Sequence, residues 1–166
     1  VCTLKLNLGC GGALLKGYVN IDKYYSKADQ RMDVRHLDYP DESVDEVYSS
    51  HLVEHIPASD FPATLREWLR VLKIGGRLKI RCPNITTHMR RWLAGDLAFR
   101  ASTGLHSILG MQNRGPGYLN HNLFDVESLR HFVEQAGFSI ISCRVVPSRN
   151  GSIIDGDLLC EASRGE

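Results

Sequence analysis

Short apolar runs punctuated by glycine, proline and aspartate alternate along this chain with two segments of helical periodicity. Residues 4–8 (LKLNL) alternate weakly and predict a buried first strand, and 18–21 predict a second. An edge strand is expected over 28–32, ending at Asp33, and 43–50 (SVDEVYSS) reads as a fourth strand through Val44 and Val47. The strongest helix spans 59–73, where Phe61, Leu65, Trp68, Leu69 and Leu72 share one face. Ser59 or Asp60 can cap its start, and Gly75 stands where a helix commonly stops. Residues 77–82 (RLKIRC) predict a fifth strand ended by Pro83-Asn84, and 85–100 predict a helix bearing Arg90, Arg91 and Arg100. Residues 101–123 hold four glycines and a proline without steady periodicity, as expected of an active-site loop or lid. Asp125 caps a second clear helix, with Val126, Leu129, Phe132 and Val133 inward and Gly137 as its stop. A sixth strand is expected over 138–146, a turn at Asn150-Gly151, and a last strand over 157–162 antiparallel to the sixth. No repeat, low-complexity tract or linker interrupts this order, so residues 1–166 read as one α/β domain.

Composition narrows the classes. A chain of 166 residues can bury a sizeable core. Twenty basic against nineteen acidic residues give a net charge of +1, which argues against a dominant nucleic-acid or membrane-surface partner. Neither an aromatic stacking platform nor a basic stripe is apparent. No apolar run approaches the roughly 18–20 residues of a membrane span. Nothing at the N-terminus reads as a signal peptide. The five cysteines, at positions 2, 10, 82, 143 and 160, include no C-x-x-C pair, and this odd, dispersed set suits a reducing cytoplasm.

The chemistry concentrates in residues 4–22, LKLNLGCGGALLKGYVNID. An apolar strand runs into Gly9-Cys10-Gly11-Gly12, and the next strand ends on Asp22. Glycines let a backbone approach a ligand closely, and an acid at the tip of the second strand can accept both hydroxyls of a ribose. LNLGCGG, VNID, DVRHLDYPDESVDEVYSSHLVEHI, LREWLRVLKIGGRLKIRCPN and HNLFDVESLRHFVEQAGF follow in order. This ordered set resembles the class I S-adenosylmethionine (SAM)-dependent methyltransferases. The resemblance implies a doubly wound, mostly parallel seven-stranded sheet with an antiparallel last strand, and SAM as cofactor.

By that resemblance, the backbone of Gly9, Cys10 and Gly11, following Leu8, packs against the methionine portion of SAM. Asp22, followed by Lys23, holds the ribose hydroxyls, and Asp33 accepts from the adenine amino group with the Val34 backbone beside it. Ser49 and Ser50 contact the methionine end near the sulfonium. Many members carry Asp where Asn7 stands; Asn7 can accept a hydrogen bond from the ligand's ammonium group but brings no charge. Ala13 replaces the usual third glycine, and only thirteen positions separate Gly9 from Asp22. A loop or single turn is therefore expected between the first two strands, similar to small bacterial methyltransferases of unassigned substrate. It also weakens NAD as a ligand, because the dinucleotide fingerprint needs a helix N-terminus under the pyrophosphate.

Candidate bases are His51, His55 and His121, since imidazole titrates near neutral pH; of these His55 is read rather as a polar contact beneath the rim, which leaves His51 and His121 as the expected catalytic residues. His51-Leu52-Val53-Glu54-His55 also fits H-x-x-E-H, the inverted zinc-peptidase pattern. Pro57 leaves that helix short, and the run falls where methyltransferases show a similar Leu-Glu-His, so no metal site is assigned. Arg90, Arg91 and Arg100 either recognise an anionic group or solvate an exposed helix face. The expected function is methyl transfer to an oxygen or nitrogen on a small metabolite or glycan precursor, the alternative being a non-catalytic SAM-binding regulator or partner subunit. Oligomeric state is not legible.

Overall fold

The protein is described by a computed structural model covering residues 3–101, 105–111, 118–148 and 156–166. The expected turn at Asn150-Gly151 and parts of the 101–123 loop lie outside the described residues. Among the described residues six strands form one sheet: β1 (Lys5–Leu8), β2 (Val19–Ile21), β3 (Val44–Ser50), β4 (Leu72–Pro83), β5 (Phe138–Val146) and β6 (Asp157–Arg164), in the order β2-β1-β3-β4-β6-β5. β1 pairs in parallel with β2 and β3, and β3 with β4. β6 runs antiparallel to both β4 and β5, as expected of the last strand. The strand order reverses at β1, whose two neighbours β2 and β3 both follow it in sequence. A crevice therefore opens where the connections leave the carboxyl ends of β1 and β3 in opposite directions.

The strand count corrects the expectation of seven. Among the described residues, the predicted third strand over 28–32 is a single parallel bridge between Ile21 and Gln30. Its sequence explains why. The exposed Asp29 carboxylate accepts from the Asn20 backbone and side-chain amides, both at 2.8 Å, so a side chain takes the amide that a neighbouring strand's carbonyl would otherwise bond. The same Asn20 closes the short β1–β2 connection. Its Oδ1 accepts from Leu15 N and from Asn7 Nδ2, each at 2.8 Å. As the spacing predicts, only turns join these strands.

Helix α1 (Phe61–Val71) buries Phe61, Thr64, Leu65, Trp68 and Val71. It stops at Val71, two residues short of the predicted end, because Leu72 turns extended and pairs with Val44 as the first residue of β4. Gly76 is required in the irregularity that follows, since a Cβ there would lie 2.7 Å from the Lys73 carbonyl oxygen. The predicted helix over 85–100 is two: α2 (Ile85–Leu93) and α3 (Leu97–Phe99). Asp96 restarts the second by accepting from Phe99 N at 2.9 Å. A short α4 (Leu105–Leu109) lies within the expected loop. Helix α5 (Val126–Gln135) opens on a capping box between Asp125 and Ser128 and meets α1 through Phe61 and Phe132, 5.4 Å apart.

Candidate active site

The crevice at the carboxyl ends of β1 and β3 is a cleft of about 750 Å³, within the roughly 300–1,000 Å³ of small-molecule sites. Its floor is the turn after β1. Gly9 has φ +64°, and a Cβ there would meet Leu52 Cδ1 at 2.6 Å, so glycine alone permits both the backbone and the overlying leucine. Cys10 N donates to Ile21 O at 3.1 Å, tying the turn to β2. Burial, with the Asp22 charge adding to it, pushes the Cys10 thiol up to about 11 and keeps it protonated at neutral pH.

One end of the cleft is acidic. Asp22 Oδ1 accepts from Tyr24 N and Tyr25 N, and its Oδ2 accepts from Gly11 N at 2.9 Å. Three of its about four acceptor positions are thus used within the turn. Asp33 is more fully engaged. Arg35 N and Nε reach its Oδ1 at 3.1 and 3.0 Å, while Arg35 Nη2 and Lys23 Nζ reach its Oδ2 at 2.8 and 3.0 Å. The bonds from the Arg35 side chain outweigh burial and hold the Asp33 carboxyl far below the usual carboxylate range. Arg35 also reaches Asp60 at 2.6 Å, and Trp68 Nε1 donates to Val34 O at 2.9 Å, so α1 fixes this acidic loop from both sides.

The other end is lined by histidines. His51 follows β3 in a left-handed conformation, φ +54°, with its amide donating to Arg81 O. Its Nε2 lies 3.2 Å from Asp157 Oδ2 and its Nδ1 lies 3.5 Å from Glu54 Oε1. Burial alone would lower its pKa, but these two carboxylates raise it to about 9. Asp157 in turn accepts from Arg81 Nε at 2.7 Å. His55 closes the 3₁₀ turn Val53–His55, its Nδ1 2.9 Å from Leu119 O and its ring edge-on to Tyr118. His121 and Asn122 donate their backbone amides to Glu54 O, at 2.7 and 3.2 Å.

The cleft brings together Gly9, Cys10, Gly11, Asp22, Lys23, Asp33, Val34, Ser50, His51 and His121 of the residues singled out in the sequence. Asn7, Leu8 and Ser49 are not on its wall. Asn7 is buried and donates to Ala13 O and Asn20, Leu8 lies in the core, and the fully buried Ser49 Oγ has no hydrogen-bond partner among the described residues. His51 is an imidazolium at neutral pH with both ring nitrogens on carboxylates, so its geometry leaves no lone pair for a base. His51 and His55 also do not stack as the zinc-peptidase pattern requires, because the helix there is a single 3₁₀ turn that starts after His51. His55 stands on the wall rather than beneath the rim. The sequence reading passed over Arg35, Tyr24, Tyr25, Leu52 and Tyr118, which also line the cleft. Arg35 had a usable signal, since a residue two positions after an aspartate is within reach of an Asx turn. Tyr118 had none.

Comparison with known proteins agrees with this geometry. Residues 6–80 match the family model described as a methyltransferase domain. A SAM-dependent methyltransferase from Methanosarcina mazei superposes with TM-score 0.69 at 17% identity, over 98% of this chain and 92% of that chain. The chain has the class I methyltransferase fold. A structure of the Haloferax volcanii complex between the Trm112 methyltransferase activator and a methyltransferase matches at TM-score 0.68 and 16% identity, over 99% of this chain and 83% of that chain. A Burkholderia thailandensis 1,6-didemethyltoxoflavin-N1-methyltransferase, solved with S-adenosylhomocysteine, matches at TM-score 0.65 and 12% identity, over 98% of this chain and 71% of that chain. No curated protein matches the sequence. The likeness drawn from the ordered motifs therefore extends to the fold, in a sheet one strand narrower among the described residues.

Proposed function

We propose that this protein transfers a methyl group from SAM to an oxygen or nitrogen on a small metabolite or glycan precursor. One observation carries this: a single cleft at the strand switch joins a glycine floor and two aspartates at one end to a histidine-lined wall at the other. The residues fit the cofactor. A Cβ on Gly11 would meet nothing within 4 Å, so open space lies beside the turn, and Asp22 Oδ2 accepts one bond and keeps a position for a hydroxyl. When bound, SAM supplies a methyl group made electrophilic by its sulfonium. The Gly9–Gly11 backbone and Ser50 would hold the methionine portion, Asp22 the ribose, and Asp33 with Val34 the base. Alignment and exclusion of water are the main tasks left to the chain, and positioning of this kind lowers a barrier by about 7–11 kcal/mol. Residues 101–123 are proposed as the loop bordering the acceptor.

A second reading is favoured by how fully Asp33 is engaged and by Asn7 being spent inside the turn: a SAM-binding regulator without turnover. Calorimetry with SAM and S-adenosylhomocysteine, followed by labelled-methyl transfer to an acceptor panel, separates the two. Binding with turnover supports the enzyme, binding without turnover the regulator, and no binding removes both. Among the described residues no helix is long and apolar enough to cross a membrane. A reducing cytoplasm is proposed from the odd, dispersed set of cysteines.

A further inference from the structure

The histidines bordering the cleft are not chemically equivalent. His51 spends both ring nitrogens on carboxylates. His55 does not. A carbonyl oxygen only accepts, so the 2.9 Å contact with Leu119 O puts the hydrogen on His55 Nδ1. In the neutral ring the lone pair then sits on Nε2. The Leu119 bond survives protonation of Nε2, because Nδ1 keeps its hydrogen in both states. The ring can therefore take up and release a proton without losing its anchor. That anchor is itself fixed: Asn122 Nδ2 donates to Ile56 O at 2.7 Å, and His121 N donates to Glu54 O, pinning the segment that carries Leu119 to the His55 turn.

The charges along the cleft add a second constraint. Among the described residues each cation on its wall is already paired: Lys23 and Arg35 with Asp33, His51 with Glu54 and Asp157. The arginines that could have met an anionic acceptor are elsewhere. Arg91 sits on Asp96 and over Phe99, Arg100 bonds Trp92 O, and Arg90 is not on the cleft wall. A neutral proton donor suits such a wall better than a carboxylate or phosphate.

We propose that His55 is the general base of this site and that its acceptor is a neutral hydroxyl, an alcohol or phenol. The inference rests on the methyl-transfer reading above. The acceptor O–H proton passes to His55 Nε2 while the oxygen bonds to the methyl carbon. The carbon–sulfur bond breaks with its electron pair going to sulfur, leaving the neutral thioether of S-adenosylhomocysteine, and His55 then releases the proton to water.

Two measurements on the full chain test this. Nitrogen-15 NMR of the histidine-labelled protein, with His55→Asn assigning the ring, reads the tautomer without any acceptor. The expected result is hydrogen on Nδ1, with an Nε2 signal that moves on saturation with S-adenosylhomocysteine. Hydrogen on Nε2, or indifference to that ligand once bound, overturns the proposal. His55→Asn keeps an amide donor for Leu119 O but has no base. Its melting temperature and S-adenosylhomocysteine affinity are expected to stay close to the parent's, while methyl transfer to neutral alcohols and phenols falls about 100-fold or more. Undiminished transfer by this variant, or transfer by the parent only to amines or carboxylates, also overturns it. Failure of the parent to bind S-adenosylhomocysteine removes the methyl-transfer reading itself, an outcome calorimetry distinguishes from the others.

Discussion

Two carboxylates keep a proton on His51 that burial would otherwise strip, and this makes folding stability depend on pH. An unfolded histidine titrates near 6.5, so the contribution is complete below about that pH and fades as pH rises through about 9. The full effect is on the order of 3 kcal/mol, since one pKa step corresponds to about 1.4 kcal/mol. Urea midpoints are expected to fall between pH 6.5 and 9.5, and His51→Gln should flatten that slope; a flat parent profile would contradict the pairing. Asp157 acts with the opposite sign. Burial would raise its carboxyl, but the bonds to His51 and Arg81 lower it, so its contribution is lost only in acid. Gly9→Ala tests the floor of the cleft. A left-handed alanine costs about 1–2 kcal/mol, and its Cβ must displace Leu52. The urea midpoint is expected to fall accordingly, and calorimetry is expected to show weaker S-adenosylhomocysteine binding, because the turn that would pack against the ligand must shift.

Helix α1 and the acidic loop act as one unit at the element scale. The Trp68 indole is fully buried and gives its only hydrogen to Val34 O. Trp68→Phe keeps an aromatic ring but leaves that carbonyl unpaired, at a cost of about 1–3 kcal/mol. Its denaturation midpoint and S-adenosylhomocysteine affinity are expected to fall together, because Val34 adjoins Asp33. Asp125→Ala is the contrasting case. It removes the cap of α5 for about 1 kcal/mol, and ligand affinity should not change, as Asp125 is not on the cleft wall. The residues that end these helices were partly legible. Asp125 announced its capping role in the sequence. The break at Gly95-Asp96 carried the same kind of signal, a glycine stop followed by an aspartate cap, and a continuous apolar-looking helix over 85–100 hid it. Leu72 gave no local warning that it would leave α1, since its alternative is a strand partner, Val44, far away in sequence.

The topology of the whole molecule decides what the cleft can hold. Strand order reverses at β1, and the short β1–β2 link supplies turns rather than a helix N-terminus. Diphosphate therefore lacks its usual seat. S-adenosylhomocysteine at a hundred times its dissociation constant is expected to stabilise the fold by about 2.7 kcal/mol, whereas NAD should leave the melting temperature unchanged. A stabilising shift with NAD would count against the reading of the turn.

The amino-acid sequence by itself determined the alternation of elements, the antiparallel final strand, the glycine turn and the acid that ends the second strand. Each of these depends on residues within a few positions, where hydrophobic period, caps and turn residues act. Only the tertiary structure decided which charged groups, ring nitrogens and thiols meet. His51 meets Asp157 across 106 positions, His55 meets Leu119 across 64, and Cys143 faces Cys160 through strand register. Such pairings follow from where the sheet sets its strands side by side, and no local pattern encodes them.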